Sequence, residues 1–231
     1  MKKVAIASFF AGWLVAGPWQ THTELSYIQT SGNTDTSSFG VDFHAQKKWL
    51  PHEVAFDFES NYAESGGRET KNIWLLETHY YYHFSKSLEI EYLTGYKQDK
   101  FSGFEYQFYT GPGLGWQVVQ TSKQKFSLNL LLLYSIDSYT TDKKDIYLSG
   151  RTGVEYTYHI TPMLSFVEEA NWRSDLSQPS NWFLYSKSSF YNTIDGKLKL
   201  GVSYKIDYKN NPPKGKKKMD RTLMVSLVVD W

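Results

Sequence analysis

Hydrophobic and polar residues alternate along most of the chain from Trp19 onward. In KLKLGVSYKIDYK, residues 197–209, the apolar residues occupy the even positions from Leu198 to Tyr208, and polar or small residues occupy the odd ones. Successive side chains of a β-strand point to opposite faces, so this period of two predicts strands with one apolar and one polar face. We find no convincing helical pattern in this part of the chain.

The alternation predicts about twelve strands. They lie near residues 20–30, 37–49, 53–63, 70–84, 87–99, 104–120, 124–138, 145–160, 163–174, 181–193, 197–209 and 220–231. The ninth strand is the least regular, because Glu168 and Glu169 place a carboxylate on both faces. Either a bulge at this point or a carboxylate near an interface would account for it.

Short and long connections alternate between these strands. LPH, SKS, TSK, TP and DG are short, whereas TSGNTDTS, ESGGRE, KQDKFSG, YTTDKKD, LSQPSN and NNPPKGKKKM are longer and polar. This arrangement is typical of an up-and-down antiparallel transmembrane β-barrel. An even number of strands places both chain termini on the side of the short turns, which is the periplasmic side of such a barrel.

Two architectures can cover the apolar faces: a membrane barrel with these faces in lipid, or a periplasmic sandwich or barrel with them inside. Most strands reach the 9 to 11 residues needed to cross a bilayer, and are longer than the usual strand of a soluble sheet. Trp19, Trp49, Trp116, Trp182 and Trp231 lie near predicted strand ends, where membrane interfaces favour aromatic residues. We therefore predict a membrane barrel and keep the soluble fold as the alternative.

The N-terminal segment predicts export. Its apolar run VAIASFFAGWLVAG, residues 4–17, follows Lys2 and Lys3 and is too short to span a membrane as a helix. We interpret residues 1–17 as a signal peptide and residues 18–231 as an outer-membrane barrel domain.

Composition excludes several classes of function. The 25 basic and 24 acidic residues nearly balance, so global charge predicts no nucleic-acid partner. The 231 residues include no cysteine, which excludes disulfides, thiol nucleophiles and cysteine-based zinc sites.

The last strand carries a candidate assembly signal. Its apolar face consists of Leu223, Val225, Leu227, Val229 and Trp231. Alternating apolar residues that end in an aromatic residue resemble the terminal signal that the barrel-assembly machinery of the bacterial outer membrane recognises. We expect that machinery to be a partner.

Three longer segments carry a more specific resemblance. TSGNTDTSSFGVDF, YKQDKFSGFEYQFYTGPGLGWQV and DYKNNPPKGKKKMDRTLMVSLVVDW, in this order, resemble the salt-induced outer membrane proteins, a family of unknown function. The resemblance covers essentially the whole chain after the signal peptide. It implies a Gram-negative outer-membrane barrel linked to salt or osmotic stress, and it brings no established substrate or catalytic residue.

Motifs of catalysis and metal binding are weak. GPGLG, residues 111–115, lacks the G-K-[ST] of a phosphate loop and lies inside a strand; its glycines leave room for long side chains from neighbouring strands. Glu77, His79 and His83 share one strand face, but their spacing favours structural roles over a metal site.

A lipid hydrolase is the enzyme alternative. It would need a serine beside a histidine near lipid, whereas the strand histidines are predicted to face inward. We therefore predict no enzyme activity, no cofactor, no metal and no catalytic residue.

Charged residues on the polar faces predict two opposed walls of a lumen. The acidic wall comprises Asp57, Glu59, Glu77, Glu89, Glu91, Asp99 and Glu105, and the basic wall comprises Lys187, Lys199, Lys205 and Lys209. Either the walls meet in salt bridges that plug the lumen, or they stand apart around water. A lumen of about twelve strands is narrow. We favour a narrow or gated pore for small polar solutes or ions, and keep a non-conducting structural barrel as the alternative.

The last long loop is basic. It contains Lys214, Lys216, Lys217 and Lys218. A solvated loop is the simpler interpretation, and contact with lipopolysaccharide phosphates is the more specific one.

Overall fold

The chain forms a closed barrel of twelve antiparallel strands. The computed structural model describes residues 18–31, 36–65 and 68–231; the predicted signal peptide and the turn at residues 32–35 lie outside them. The strands are β1 (Gln20–Ser31), β2 (Thr36–Trp49), β3 (His52–Ser65), β4 (Arg68–His83), β5 (Leu88–Asp99), β6 (Phe104–Gln120), β7 (Gln124–Tyr139), β8 (Lys144–His159), β9 (Leu164–Asp175), β10 (Trp182–Asp195), β11 (Leu198–Lys209) and β12 (Met219–Asp230). The predicted fold class and strand number are confirmed.

Each strand pairs with its neighbours in sequence, and β1 pairs with β12 to close the ring. The closing pair reaches the last residue, because the Thr21 and Trp231 backbones exchange two hydrogen bonds of 2.9 and 3.1 Å. We call the end of the barrel that holds Gln20 and Trp231 the terminal end, and the opposite end the loop end.

The strands are longer than a bilayer crossing requires. Some connections are therefore shorter than the sequence predicts. Segments predicted as loops near residues 36 and 64 are paired in β2 and β3. At the loop end, the longest described connections are residues 176–181 and 210–218. Among the described residues, no helix is long and apolar enough to cross a membrane.

The outer surface is a belt of exposed apolar side chains. Its members include Leu25, Val41, Leu76, Ile90, Leu114, Leu130, Leu132, Ile146, Leu148, Leu200, Val202, Val225 and Leu227. A continuous apolar belt of this kind is unfavourable in water and matches the hydrocarbon of a bilayer. The arrangement with apolar faces turned inward, which defines a soluble sandwich, is not the one observed.

The ninth strand is regular. Its pairing with β8 and β10 continues through Glu168 and Glu169 without a register shift, so of the two alternatives considered for this strand the bulge is wrong. Glu169 faces the lumen, and Glu168 faces outward, where it accepts hydrogen bonds from the Ser186 and Ser188 hydroxyls.

Glycines of β6 admit neighbouring residues to the lumen wall. A Cβ on Gly113 would lie 2.6 Å from Leu131 Cγ, and one on Gly115 would lie 2.6 Å from Glu89 Oε1. Room for these side chains lets Leu131 and Glu89 lie flat against the wall. Leu131 belongs to a buried cluster inside the barrel whose members are Leu93, Tyr109, Leu131 and Leu133.

A charge on the outer belt should destabilise the barrel. Val202 lies mid-strand in β11 and is 43% exposed, so Val202→Lys places an ammonium in hydrocarbon at a cost of about 2 to 3 kcal/mol. Urea unfolding in phospholipid vesicles measures this cost, with Glu169→Lys on the lumen side as the control. A loss of stability no greater for Val202→Lys than for the control would contradict the assignment of faces.

Candidate functional site

The lumen is crossed by ion pairs between opposite walls. Lys97 of β5 and Asp207 of β11 lie six strands apart around the ring, on diametrically opposed sides, yet Lys97 Nζ is 3.3 Å from Asp207 Oδ1. Glu59 of β3 pairs with Lys205 of β11. These contacts leave no clear passage at this height, since side chains from both walls meet.

Further contacts fill the lumen towards the loop end. Lys209 Nζ lies 3.9 Å from Asp99 Oδ2, and the rings of Phe104 and Phe183 pack with centroids 6.1 Å apart across the lumen. Lys205, Lys209, Asp99 and Phe104 are all 5% exposed or less. We call this set of contacts the closure. It comprises Glu59–Lys205, Lys97–Asp207, Asp99–Lys209 and Phe104–Phe183.

The loop of residues 210–218 reaches over the mouth above the closure. Gly103 lies between β5 and β6, on the far side of the barrel from this loop, and a Cβ on Gly103 would lie 2.8 Å from the Pro213 side chain. Gly103 also has a φ of 92°, a conformation that glycine adopts without strain. Both the backbone turn and the close approach of Pro213 therefore require glycine here.

A second group of charges lies beside the closure. Arg151 Nη1 is 2.7 Å from Glu77 Oε1, and the Tyr109 hydroxyl donates to the same carboxylate. The guanidinium carbon of Arg173 lies over the Tyr109 ring, 5.0 Å from the ring centroid. Arg173 also pairs with Asp137. Cation–π contact and shared hydrogen bonds hold this group together.

Lys187 links three strands at mid-height. Its Nζ lies 3.1 Å from both Glu24 Oε2 and Asp42 Oδ2. Glu24 is 1% exposed, so the pairing neutralises a carboxylate that would otherwise be buried without a counter-charge.

Towards the terminal end, the lumen is acidic and several of its charged side chains are exposed. We name this part the vestibule; its charged residues are Lys48, Glu53, Asp57, Glu89, Glu91, Lys125, Glu155, Glu169, Lys197, Lys199 and Asp230, together with His22, His44, His79, His83 and His159. The Asp57 side chain is 38% exposed, compared with 7% for Lys205 in the closure. An opening of about 430 Å³ beside His22, His44 and Asp230 leads into it.

Histidines bridge carboxylates in the vestibule. His83 lies 2.9 Å from Glu53 and 2.8 Å from Glu89, and His79 lies 2.7 Å from Glu91 and 3.4 Å from Asp57. The imidazole rings thus pair with carboxylates of the same wall and do not extend across the lumen.

The predicted walls are only partly opposed. Glu59 and Asp99 contact the predicted basic wall, through Lys205 and Lys209. The other acidic residues have different partners: Glu77 pairs with Arg151, and Asp57, Glu89 and Glu91 contact histidines. On the basic side, Lys187 contacts β1 and β2, and Lys199 pairs with Asp230.

Glu105 lies outside the acidic wall. It sits at a register shift between Phe104 and Tyr106, its side chain is 45% exposed, and it pairs with Lys100 of the adjoining turn. The irregular pairing interrupts the alternation on which its inward placement was based.

The closure also uses residues that the two-wall prediction left out. Lys97 stands among acidic residues and Asp207 among basic ones, and each finds its partner across the ring. Their inward orientation follows from the period of two. Their contact does not, because the stagger of the strands around a barrel cannot be read from alternation.

The remaining predicted sites have their expected places in the fold. Leu223, Val225 and Leu227 are exposed on the outer face of β12, Val229 is half-buried there, and Trp231 is exposed just after the strand. Lys214, Lys217 and Lys218 are exposed in the loop over the mouth, and Lys216 is half-buried there. Recognition by the assembly machinery and contact with lipopolysaccharide stay predictions.

The outward serines have a carboxylate as their partner. Ser186 and Ser188, on the outer face, donate to the Glu168 carboxylate, an acceptor that cannot serve as the histidine of a hydrolase pair. No group of three or more histidine or carboxylate side chains within the described ranges is arranged to hold a metal ion.

A closed twelve-strand barrel with an apolar exterior and a charged lumen has the fold of the outer-membrane porins. The NanC porin structure is similar with a TM-score of 0.61 and 12% identity, over 90% of this chain and 98% of that one. The KdgM porin gives a TM-score of 0.52 and 10% identity, over 90% and 99%. At this identity the likeness concerns the fold alone.

The chain belongs to a family described as a protein of unknown function, DUF481, whose model matches residues 23–231. This confirms the predicted membership of a bacterial family of unknown function. No curated protein matches the sequence significantly.

Removing one partner of a closure pair should cost more than removing both. Lys205→Ala leaves the half-buried Glu59 carboxylate without its counter-charge, and should lower the free energy of unfolding by about 3 kcal/mol. Adding Glu59→Ala should recover part of that loss, as measured by urea unfolding in vesicles. Additive losses in the double variant would contradict the coupling of the two side chains.

Proposed function

We propose that this protein is an outer-membrane pore for small polar solutes or ions, held shut by the closure. The observation that carries the proposal is that the exposure and pairing of the charged side chains change along the axis of the lumen. Its vestibule contains exposed charged side chains, and the closure that follows consists of three ion pairs across the lumen and one contact between aromatic rings. Ion pairs can separate and re-form, unlike a continuous apolar core.

The fold supports the membrane placement and an orientation. An apolar belt around a closed barrel suits the outer membrane, where such barrels have short periplasmic turns. The turns at the terminal end, such as residues 50–51 and 196–197, are short. We place the terminal end and the vestibule in the periplasm, and the loop of residues 210–218 outside the cell.

The size of the lumen supports small solutes. A twelve-stranded barrel is narrow, and its interior is largely occupied by its own side chains. KdgM has also been solved in complex with a disordered oligogalacturonate, with a TM-score of 0.50 and 12% identity to this chain. We do not extend that ligand to this protein, because the vestibule presents an excess of carboxylates to a carboxylate polymer.

A specific observation favours a second function, that of a non-conducting envelope barrel. Lys205 and Lys209 in the closure are 5% exposed, and broken buried pairs are costly. If the closure never opens, the barrel stabilises the envelope without transport. The link to salt or osmotic stress, which the family resemblance implies, stays a prediction under either function.

Planar-bilayer conductance separates the two functions. We expect the purified protein in KCl to show brief, low-conductance openings. The double variant Lys97→Ala and Asp207→Ala, which removes a diametrical ion pair from the closure, should raise the open fraction or the conductance at least twofold. The matched control is Lys100→Ala with Glu105→Ala, which removes an exposed Lys–Glu pair outside the lumen walls and should leave conductance near that of the wild type.

The outcomes are distinct. Silence of both the wild type and the closure variant, across voltages and salt concentrations, would overturn the pore and leave the structural function. An equal rise in the control variant would show that loss of any ion pair loosens the barrel, and would remove the closure from the proposal.

A further inference from the structure

We infer that the pore selects cations over anions, and that Glu155 and Glu169 set this selectivity. The inference rests on the proposed pore and adds the class of solute that it passes. Both residues face the lumen on adjacent strands, and their backbones are direct register partners in the β8–β9 pair.

These two glutamates differ from the other vestibule carboxylates in having no counter-ion. Both side chains are exposed to the lumen. Among the described residues, neither lies within hydrogen-bond or ion-pair distance of another side chain. Glu53, Asp57, Glu89, Glu91 and Asp230, by contrast, each contact a lysine or histidine.

The lysines near the pair are already engaged. Lys187, the register neighbour of Glu169 on β10, directs its ammonium to Glu24 and Asp42. Lys199 contacts Asp230, and Lys48 contacts Glu53. Two further exposed lysines, Lys125 of β7 and Lys197 in the turn before β11, lie at this end of the lumen, and neither is within ion-pair distance of the two glutamates.

The field in the vestibule is consequently negative. Seven carboxylates outnumber four lysines there: Glu53, Asp57, Glu89, Glu91, Glu155, Glu169 and Asp230 against Lys48, Lys125, Lys197 and Lys199. Two of the histidines, His79 and His83, lie between carboxylates. Two like charges opposite each other on paired strands repel unless mobile cations screen them. A passage lined by one sign of charge with low-dielectric walls concentrates ions of the opposite sign.

The closure does not reverse this preference. The ionised side chains at its height are Glu59, Asp99, Asp207 and Asp220 against Lys71, Lys97, Lys205 and Lys209, and most of them pair with one another. An ion that passes the opened closure therefore meets a balanced layer there and an acidic vestibule beyond it. The vestibule decides which sign of charge is favoured.

Glu168 supplies a matched control for the test. It is the neighbour of Glu169 on the same strand but faces outward, towards Ser186 and Ser188. Glu168→Gln removes the same charge from the same strand without changing the lumen.

The experiment is the reversal potential across planar bilayers under a KCl gradient, measured on the wild type and on the closure variant Lys97→Ala with Asp207→Ala. We expect K⁺ to be more permeant than Cl⁻ by a factor of about 5 or more. Glu155→Gln with Glu169→Gln should reduce this ratio at least threefold, and Glu155→Lys with Glu169→Lys should invert it. Glu168→Gln should leave it unchanged.

Failure of this inference is distinguishable from failure of the pore. Conductance with a K⁺ to Cl⁻ ratio near unity, or a ratio unaffected by the two Gln substitutions, would overturn cation selection and keep the pore. Silence of the wild type and of the closure variant would overturn both. Heat-modifiable migration in electrophoresis confirms that each variant has folded into a barrel.

Discussion

The structure depends on one constraint: a closed ring of strands turns every second side chain into a confined interior. The alternation that gives β11 an apolar exterior also directs Lys205, Asp207 and Lys209 inward. Buried charges must be paired or solvated. In the narrow part of the lumen they pair across it, as Lys97 does with Asp207. In the vestibule several of them, such as Glu155 and Glu169, stay exposed. The closure meets this electrostatic requirement by pairing the charges, and the vestibule meets it by leaving several of them exposed.

Side-chain packing determines whether the charges at a given level of the barrel axis are paired or exposed. Tyr109 can lie against the β5 wall because Gly95 has no Cβ to obstruct its ring, and the ring then supports Arg151 and Arg173. Leu93, Leu131 and Leu133 fill the adjacent space. An apolar patch inside a polar lumen thus narrows one sector and fixes the long cationic side chains. Near Glu155 and Glu169 no such filling is present among the described residues, and their carboxylates remain exposed.

The sequence predicted the fold well because period two is a local property. Strand number and most boundaries within two residues followed from alternation, as did the outward face of β12. Pairings across the lumen were harder, because they depend on strand stagger and on side-chain reach. The contact of Lys205 with Glu59 is predictable from the sequence, because each residue belongs to one of the two predicted walls. The contact of Arg173 with Asp137 is not. Glu105 shows the local limit: a register shift beside it breaks the alternation.

The central claim, apolar outside and charged inside with one wet and one closed part of the lumen, is tested most directly by thiol accessibility. The chain has no cysteine, so single substitutions report without background. In vesicles, a charged water-soluble thiol reagent should modify Glu169→Cys rapidly and leave Val202→Cys, on the outer belt, and Ser135→Cys, a fully buried lumen position, protected. Rapid modification of Val202→Cys would contradict the assignment of faces, and equal modification of Ser135→Cys and Glu169→Cys would contradict the closed part of the lumen.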